Sequence, residues 1–242
     1  MKKILFIIAL LFNTQIYCNP VIVGVLEFAP PFSSLSGDKT NYYGFSIDLM
    51  NAICKRINIQ CTYKPLLFTN QQEVLEQGKV DIVFTPTPLN FGNNGNYIFS
   101  LPYLPSNGQF VTLKSNGINT SADLKNKKIG VLKISLFLPL VEANKKDYSD
   151  VIVYDNISDL VSALANKSVD AIIMDHSIAT YVVNNNIIGD SIFVGDKIPA
   201  GDGYGIFTLK KNANLISQIN SALVNIESDG TYTAIYNKYF SE

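Results

Sequence analysis

Asp175 and His176 are the one place in this chain where an acid and a histidine are neighbours, and His176 is its single histidine. Adjacent residues on a helix do not face each other, so the pair makes a poor proton relay. The aspartate has three chemical uses here: capping a helix that starts at Ser177, meeting a cationic ligand, or acting as an acid. One histidine and three cysteines leave almost no material for a zinc site or a thiol nucleophile. No metal, cofactor or catalytic residue is expected, and the residue types argue for binding over catalysis.

The stretch VDIVFTPTPLNFGNN (residues 80–94) ends an apolar, β-branched run at Thr85. It then meets Pro86 and Pro88, which have no backbone N–H to offer. Thr85 and Thr87 alternate between them, so at least one hydroxyl is expected to face a ligand. Ser135 follows a second apolar run, KKIGVLK, and reads as a helix N-cap; such a terminus can also receive a carboxylate. Phe68 is either a core residue or an aromatic lid. Phe28 and Phe32, flanking Pro30 and Pro31, carry the same two readings.

Two phrases recur along the chain and organise these groups. IVGVLEF (22–28) is echoed by KIGVLKI (128–134), and QGKVDIVF (77–84) by NKSVDAII (166–173). Each pair keeps the order strand, helix, strand, helix, strand, which predicts two α/β lobes of similar build. YLPSNGQFVTLK (103–114) reads as an extended crossing between them and GDGYGIFTLKK (201–211) as the return. The predicted fold is α/β and two-lobed, with lobe 1 from residues 20–107 plus 206–242 and lobe 2 from 108–205. The two crossover strands would form a hinge, and the cleft between lobes would close on a ligand. Parallel strands present their C-terminal ends to such a cleft. Residues 27–32, 85–94, 133–137 and 175–177 should therefore face it, among them Glu27, Asn93 and Phe137.

Lys2 and Lys3 followed by the apolar run 4–12 read as a secretory signal over residues 1–18, too short to span a bilayer. Cys18 would anchor a lipoprotein only if Ile16 and Tyr17 were tolerated where small residues are preferred. The net charge of −1 shows no basic stripe, so nucleic acid is not an expected partner. Export into an oxidising compartment leaves Cys54 and Cys61 either bridged or as two buried thiols.

APPFS, GFSIDLMNAICKRI, VDIVFT, FSLPYL, DLKNKKIGVL, VDAIIMD and ESDGTYTAIYNKYF occur in the order and spacing of a known family. The chain resembles the periplasmic substrate-binding proteins of polar amino-acid ABC importers, solute-binding protein family 3, with a type II two-lobed fold. CKRINIQCTY is similar to the lysine/arginine/ornithine- and histidine-binding branch, which implies a disulfide between Cys54 and Cys61. The resemblance further implies a periplasmic monomer that delivers a small amino acid or amine-bearing solute to a membrane permease. Asp175 stands at the family's amine-binding aspartate, Phe68 at a sandwich aromatic, Thr85 at a hydroxyl donor and Ser135 at the second-lobe helix start. The departures concern the carboxylate grip. Asn93 stands where the family has an arginine, Pro86 and Pro88 replace donors, and ISLF (134–137) replaces a polar turn. Ala29 occupies the second sandwich position, with Phe28 beside it. An asparagine cannot make a bidentate charged clamp, so the ligand is not a free α-amino acid, or it binds in another pose, or the fold has been kept without the job. The apolar Leu136 and Phe137 predict a ligand less polar than arginine or lysine. The fold also resembles periplasmic cyclohexadienyl dehydratases, in which Glu27 would be the acid, and a ligand-presenting protein for a sensor is a further alternative.

Overall fold

The computed structural model describes residues 20–89 and 95–240; the signal segment, Cys18 and Asn93 lie outside the described residues. The chain begins with β1 (Val21–Leu26), then a short antiparallel layer of β2 (Phe28–Ala29), β3 (Ser33–Leu35) and β4 (Tyr42–Tyr43). α1 (Phe45–Arg56), β5 (Cys61–Leu66), α2 (Gln71–Glu76), β6 (Ile82–Val83) and β7 (Tyr97–Phe99) follow. β8 (Asn107–Leu113) leads into β9 (Lys128–Leu132), α3 (Phe137–Ala143), β10 (Asp150–Tyr154) and α4 (Ile157–Ala165). β11 (Ala171–Asp175), α5 (His176–Asn184) and β12 (Ser191–Pro199) precede the return through β13 (Phe207–Leu209), α6 (Ala213–Ser228) and α7 (Thr231–Phe240).

Two five-stranded sheets result, ordered β5-β1-β6-β13-β7 and β10-β9-β11-β8-β12. In the first, β1 runs parallel to β5 and β6 while β13 is antiparallel to β6 and β7. In the second, β9 runs parallel to β10 and β11 while β8 is antiparallel to β11 and β12. The sheets are copies in hydrogen-bonding detail. Ile22 N–H donates to the Asp81 carboxylate at 2.8 Å, and Lys128 N–H donates to the Asp170 carboxylate at 2.8 Å. The Asp81 carbonyl accepts the Thr208 hydroxyl and the Asn212 amide; the Asp170 carbonyl accepts the Thr112 hydroxyl and the Asn116 amide. The aspartate of each Val-Asp phrase thus pins the neighbouring parallel strand, β1 in one sheet and β9 in the other.

The local reasons are legible. α1 buries Phe45, Leu49 and Ile53 on one face, with Lys55 and Arg56 in its last turn, where cations suit the helix dipole. Its first N–H groups, those of Phe45 and Ser46, donate to the carbonyls of Pro31 and Phe32, both at 2.9 Å. That fixes the loop after β2 against the helix start. Gly44 makes the approach feasible: its φ is +129°, and a Cβ there would lie 2.4 Å from the Phe32 carbonyl oxygen. Cys54 and Cys61 form a disulfide with a Cα–Cα distance of 6.3 Å, tying the last turn of α1 to the first residue of β5.

The crossings lie side by side. Tyr103 N–H donates to the Tyr204 carbonyl and Tyr204 N–H to the Leu104 carbonyl, both at 2.9 Å, and Ala200 N–H reaches the Ser106 carbonyl at 2.9 Å. Phe45 meets Phe240 with ring centroids 4.9 Å apart and Phe84 meets Tyr103 at 4.7 Å, so α7 closes onto α1 beside the hinge. Phe32 is fully buried in this aromatic core, which settles its reading as a packing residue.

Candidate functional site

β11, the central strand of its sheet, is buried along its whole length and ends at Asp175. The Asp175 carboxylate caps α5: Oδ1 accepts N–H of Ser177 at 2.8 Å and of Ile178 at 3.4 Å. The residue is only 5% exposed, and Oδ2 is buried without a hydrogen-bond partner. Burial pushes the carboxyl up to about 6; the Tyr204 hydroxyl and the capping N–H groups hold the rise in check. Tyr204 lies near enough to act on the charge but makes no hydrogen bond of good geometry to Oδ2. Burial, with Asp175 beside them, keeps the phenols of Tyr204 and Tyr103 well above their usual range. At neutral pH the site therefore holds one buried anion among neutral groups.

Tyr204 reaches the site from the return crossing, where its backbone bridges Pro88 on one side and Leu104 on the other. Sequence reasoning missed it, because nothing in GDGYG ties it to residues so far away in the chain.

The threonines depart from expectation. Thr85 and Thr87 are both buried, and their hydroxyls lie 2.6 Å from each other and 3.0 Å each from Oε1 of Gln71. Neither threonine lines the small cavity at Asp175. Residues two apart on an extended segment point the same way, and here that way is inward. A buried hydroxyl needs a partner, which α2 supplies through Gln71. What the strand end offers the cleft instead are the rings of Pro86 and Pro88.

Ser135 also departs from its reading as an N-cap. Its hydroxyl donates to the Leu132 carbonyl at 2.9 Å, and the residue before α3 is Leu136, which supplies no capping bond. Pro139 in the first turn removes a further N–H donor, so this helix start is a poor carboxylate receptor. Phe137 is buried, packs on β8 where a Cβ at Gly108 would come within 2.8 Å of its ring, and still lines the cleft. Phe68 is half-buried and combines both of its readings, packing on the core and facing the cleft.

Asp175, Ser135, Phe137, Phe68 and Tyr204 thus converge on one small cavity of about 30 Å³. That is room for little more than a water molecule or an ammonium group. Glu27 and Phe28 are not in it. Both are exposed and line a neighbouring chamber of about 260 Å³ with Leu67, Phe68 and Asp155. No group of metal-ligating side chains occurs among the described residues.

The family model of the bacterial extracellular solute-binding proteins, family 3, matches residues 21–242. The chain belongs to that family. It is 30% identical to the arginine-binding periplasmic protein of Mannheimia haemolytica over 99% of this chain and 98% of that protein. It is 30% identical to the lysine/arginine/ornithine-binding periplasmic protein of Escherichia coli (strain K12), over 91% of this chain and 87% of that protein. Among solved structures, an arginine third transport system periplasmic binding protein from Legionella pneumophila superposes with a TM-score of 0.84. The identity there is 35%, covering 91% of this chain and 99% of the other. These relatives are binding proteins. The family 3 chain described here is a two-lobed solute-binding protein of the same kind, and among its described residues no helix is long and apolar enough to cross a membrane.

Proposed function

We propose that this family 3 protein captures a small amine-bearing solute between its lobes, with Asp175 receiving the ammonium group. One observation carries the reading: a carboxylate buried at a strand end, with one oxygen committed to a helix cap and the other without a partner. A buried, half-satisfied anion is costly unless a cation meets it. Phe68 and Phe137 supply apolar walls against the ligand body, and the Ser135 hydroxyl and Tyr204 phenol lie on the same cavity. Glu27 and Phe28 guard the adjoining chamber. Thr85 and Thr87 shape the strand end through Gln71 rather than by touching the ligand.

The solute is handed to the membrane permease of an ABC importer, and the protein works as a periplasmic monomer released from its signal segment. The relatives' names support the periplasm and the importer: they include an arginine-binding periplasmic protein and an arginine-binding protein of an ABC transporter. Binding rather than dehydration is favoured because Glu27 stands exposed in a different chamber from Asp175.

The test is isothermal titration of the protein and its Asp175→Asn variant with simple amines and the common amino acids. Amine binding that disappears in Asp175→Asn supports the assignment. Equal binding by both proteins removes Asp175 from the site.

A further inference from the structure

Three cavities surround the lobe seam and share walls. Phe68 lines both the small cavity at Asp175 and the chamber beside Glu27. Phe28 lines that chamber and a third of about 390 Å³, and Ile178, one turn along α5 from Asp175, lines the third and the first. The third runs between α4 and α5, floored by Val161, Ala165, Val182 and Ile188, with Phe28 and Pro30 of the first lobe closing its near end. Phe28 is 61% exposed and Ile187 50%, so large apolar faces stand open there.

The charges around this system are one-sided. Asp175 lines the small cavity and Glu27 and Asp155 the chamber beside it, the third has no charged lining residue, and no lysine or arginine lines any of them. Lys133 approaches only Asp155, at 3.5 Å across an exposed pair. Residues 90–94, NFGNN, add no cation either. A free carboxylate would enter a field of carboxylates with no charged partner to receive it.

We infer that the ligand is an amine without a carboxylate, whose apolar body extends from Asp175 along Ile178 into the groove between α4 and α5. The inference rests on Asp175 as the ammonium receptor and adds what the rest of the ligand must be. The small cavity holds the charged head, and the third chamber has the size and the lining for a ring or a short alkyl chain.

Calorimetric titration of the protein with ethylamine, 2-phenylethylamine and L-phenylalanine tests it. The expected order puts 2-phenylethylamine at least about tenfold tighter than ethylamine, the gain from burying one aromatic ring. Phenylalanine, which differs from 2-phenylethylamine by its carboxylate, should bind more weakly than that amine. Ser158→Trp, an exposed position on α4 where two of the chambers meet, should erase the advantage of 2-phenylethylamine and leave ethylamine within about twofold. Ala165→Phe fills the far end of the same groove and replaces that variant if it fails to fold.

Equal affinities for the two amines, both lost in Asp175→Asn, would overturn the extended apolar site while the ammonium receptor stands. An unaffected 2-phenylethylamine advantage in both groove variants would overturn its location. Phenylalanine binding tighter than 2-phenylethylamine would overturn the exclusion of a carboxylate. Failure of both amines to bind would remove the ammonium receptor and this inference with it.

Discussion

The Asp175 carboxylate accepts the Ser177 N–H at 2.8 Å through Oδ1, while its Oδ2 is held out of solvent with no partner. One side chain therefore serves the fold with one oxygen and leaves the other for chemistry. That division determines how stability and binding should respond to pH.

In the fold the Asp175 carboxyl titrates at about 6, against an ordinary value of 3.8, because burial disfavours its charge. The folded state then holds the proton more tightly than the unfolded chain. This group's contribution to stability is greatest at low pH and is lost as pH rises from about 4 to about 6, at a cost on the order of 3 kcal/mol at neutral pH. Amine binding should run the other way and weaken by up to about tenfold one pH unit below the folded pKa. Thermal unfolding with and without an amine at pH 5 and pH 7 measures both: the ligand-induced shift should be larger at pH 7. The ligand-free Asp175→Asn protein should melt at or above the parent at pH 7, since the buried charge is gone and the cap's accepting oxygen remains.

Gln71→Leu should destabilise the protein by about 2 kcal/mol, because the Thr85 and Thr87 hydroxyls lose their shared acceptor inside the core. Ligand affinity should change little, since neither threonine lines the cavity at Asp175. Denaturant unfolding and titration on the same sample separate the two effects, and a large loss of affinity would show that the threonines touch the ligand.

Replacing both Cys54 and Cys61 by alanine should cost about 2–3 kcal/mol, the loop-closure entropy of a short ring. The bridge ties α1 to β5 in the first lobe, away from Asp175, so binding constants should be unchanged. Urea midpoints of the parent and the double variant are the comparison.

Asp81→Ala and Asp170→Ala should each destabilise by about 1–3 kcal/mol, through loss of a charge-assisted bond to β1 or β9. Similar losses would establish that the twin networks carry equal weight. Because they lie in different lobes, the double variant should be close to additive, as measured by chemical denaturation.

The two-lobed α/β fold was readable from the chain because its signals are local or repeated. IVGVLEF and KIGVLKI became β1 and β9, VDIVF and VDAII became β6 and β11, and the apolar face of α1 was set by helical spacing. Asp175 was legible for the same reason, as a polar residue closing a buried run just before a helix. The directions of hydroxyls were not. Thr85 and Thr87 turned inward because Gln71 offers a buried acceptor, and Ser135 turned back to Leu132 rather than capping α3. Tyr204 joined Asp175 only because the two crossings pair backbone to backbone. Short-range pattern specifies which segments are strands and helices. Which polar atom finds a partner, and which is left buried without one, depends on every element packed around it. That choice, made in three dimensions, is what formed the site.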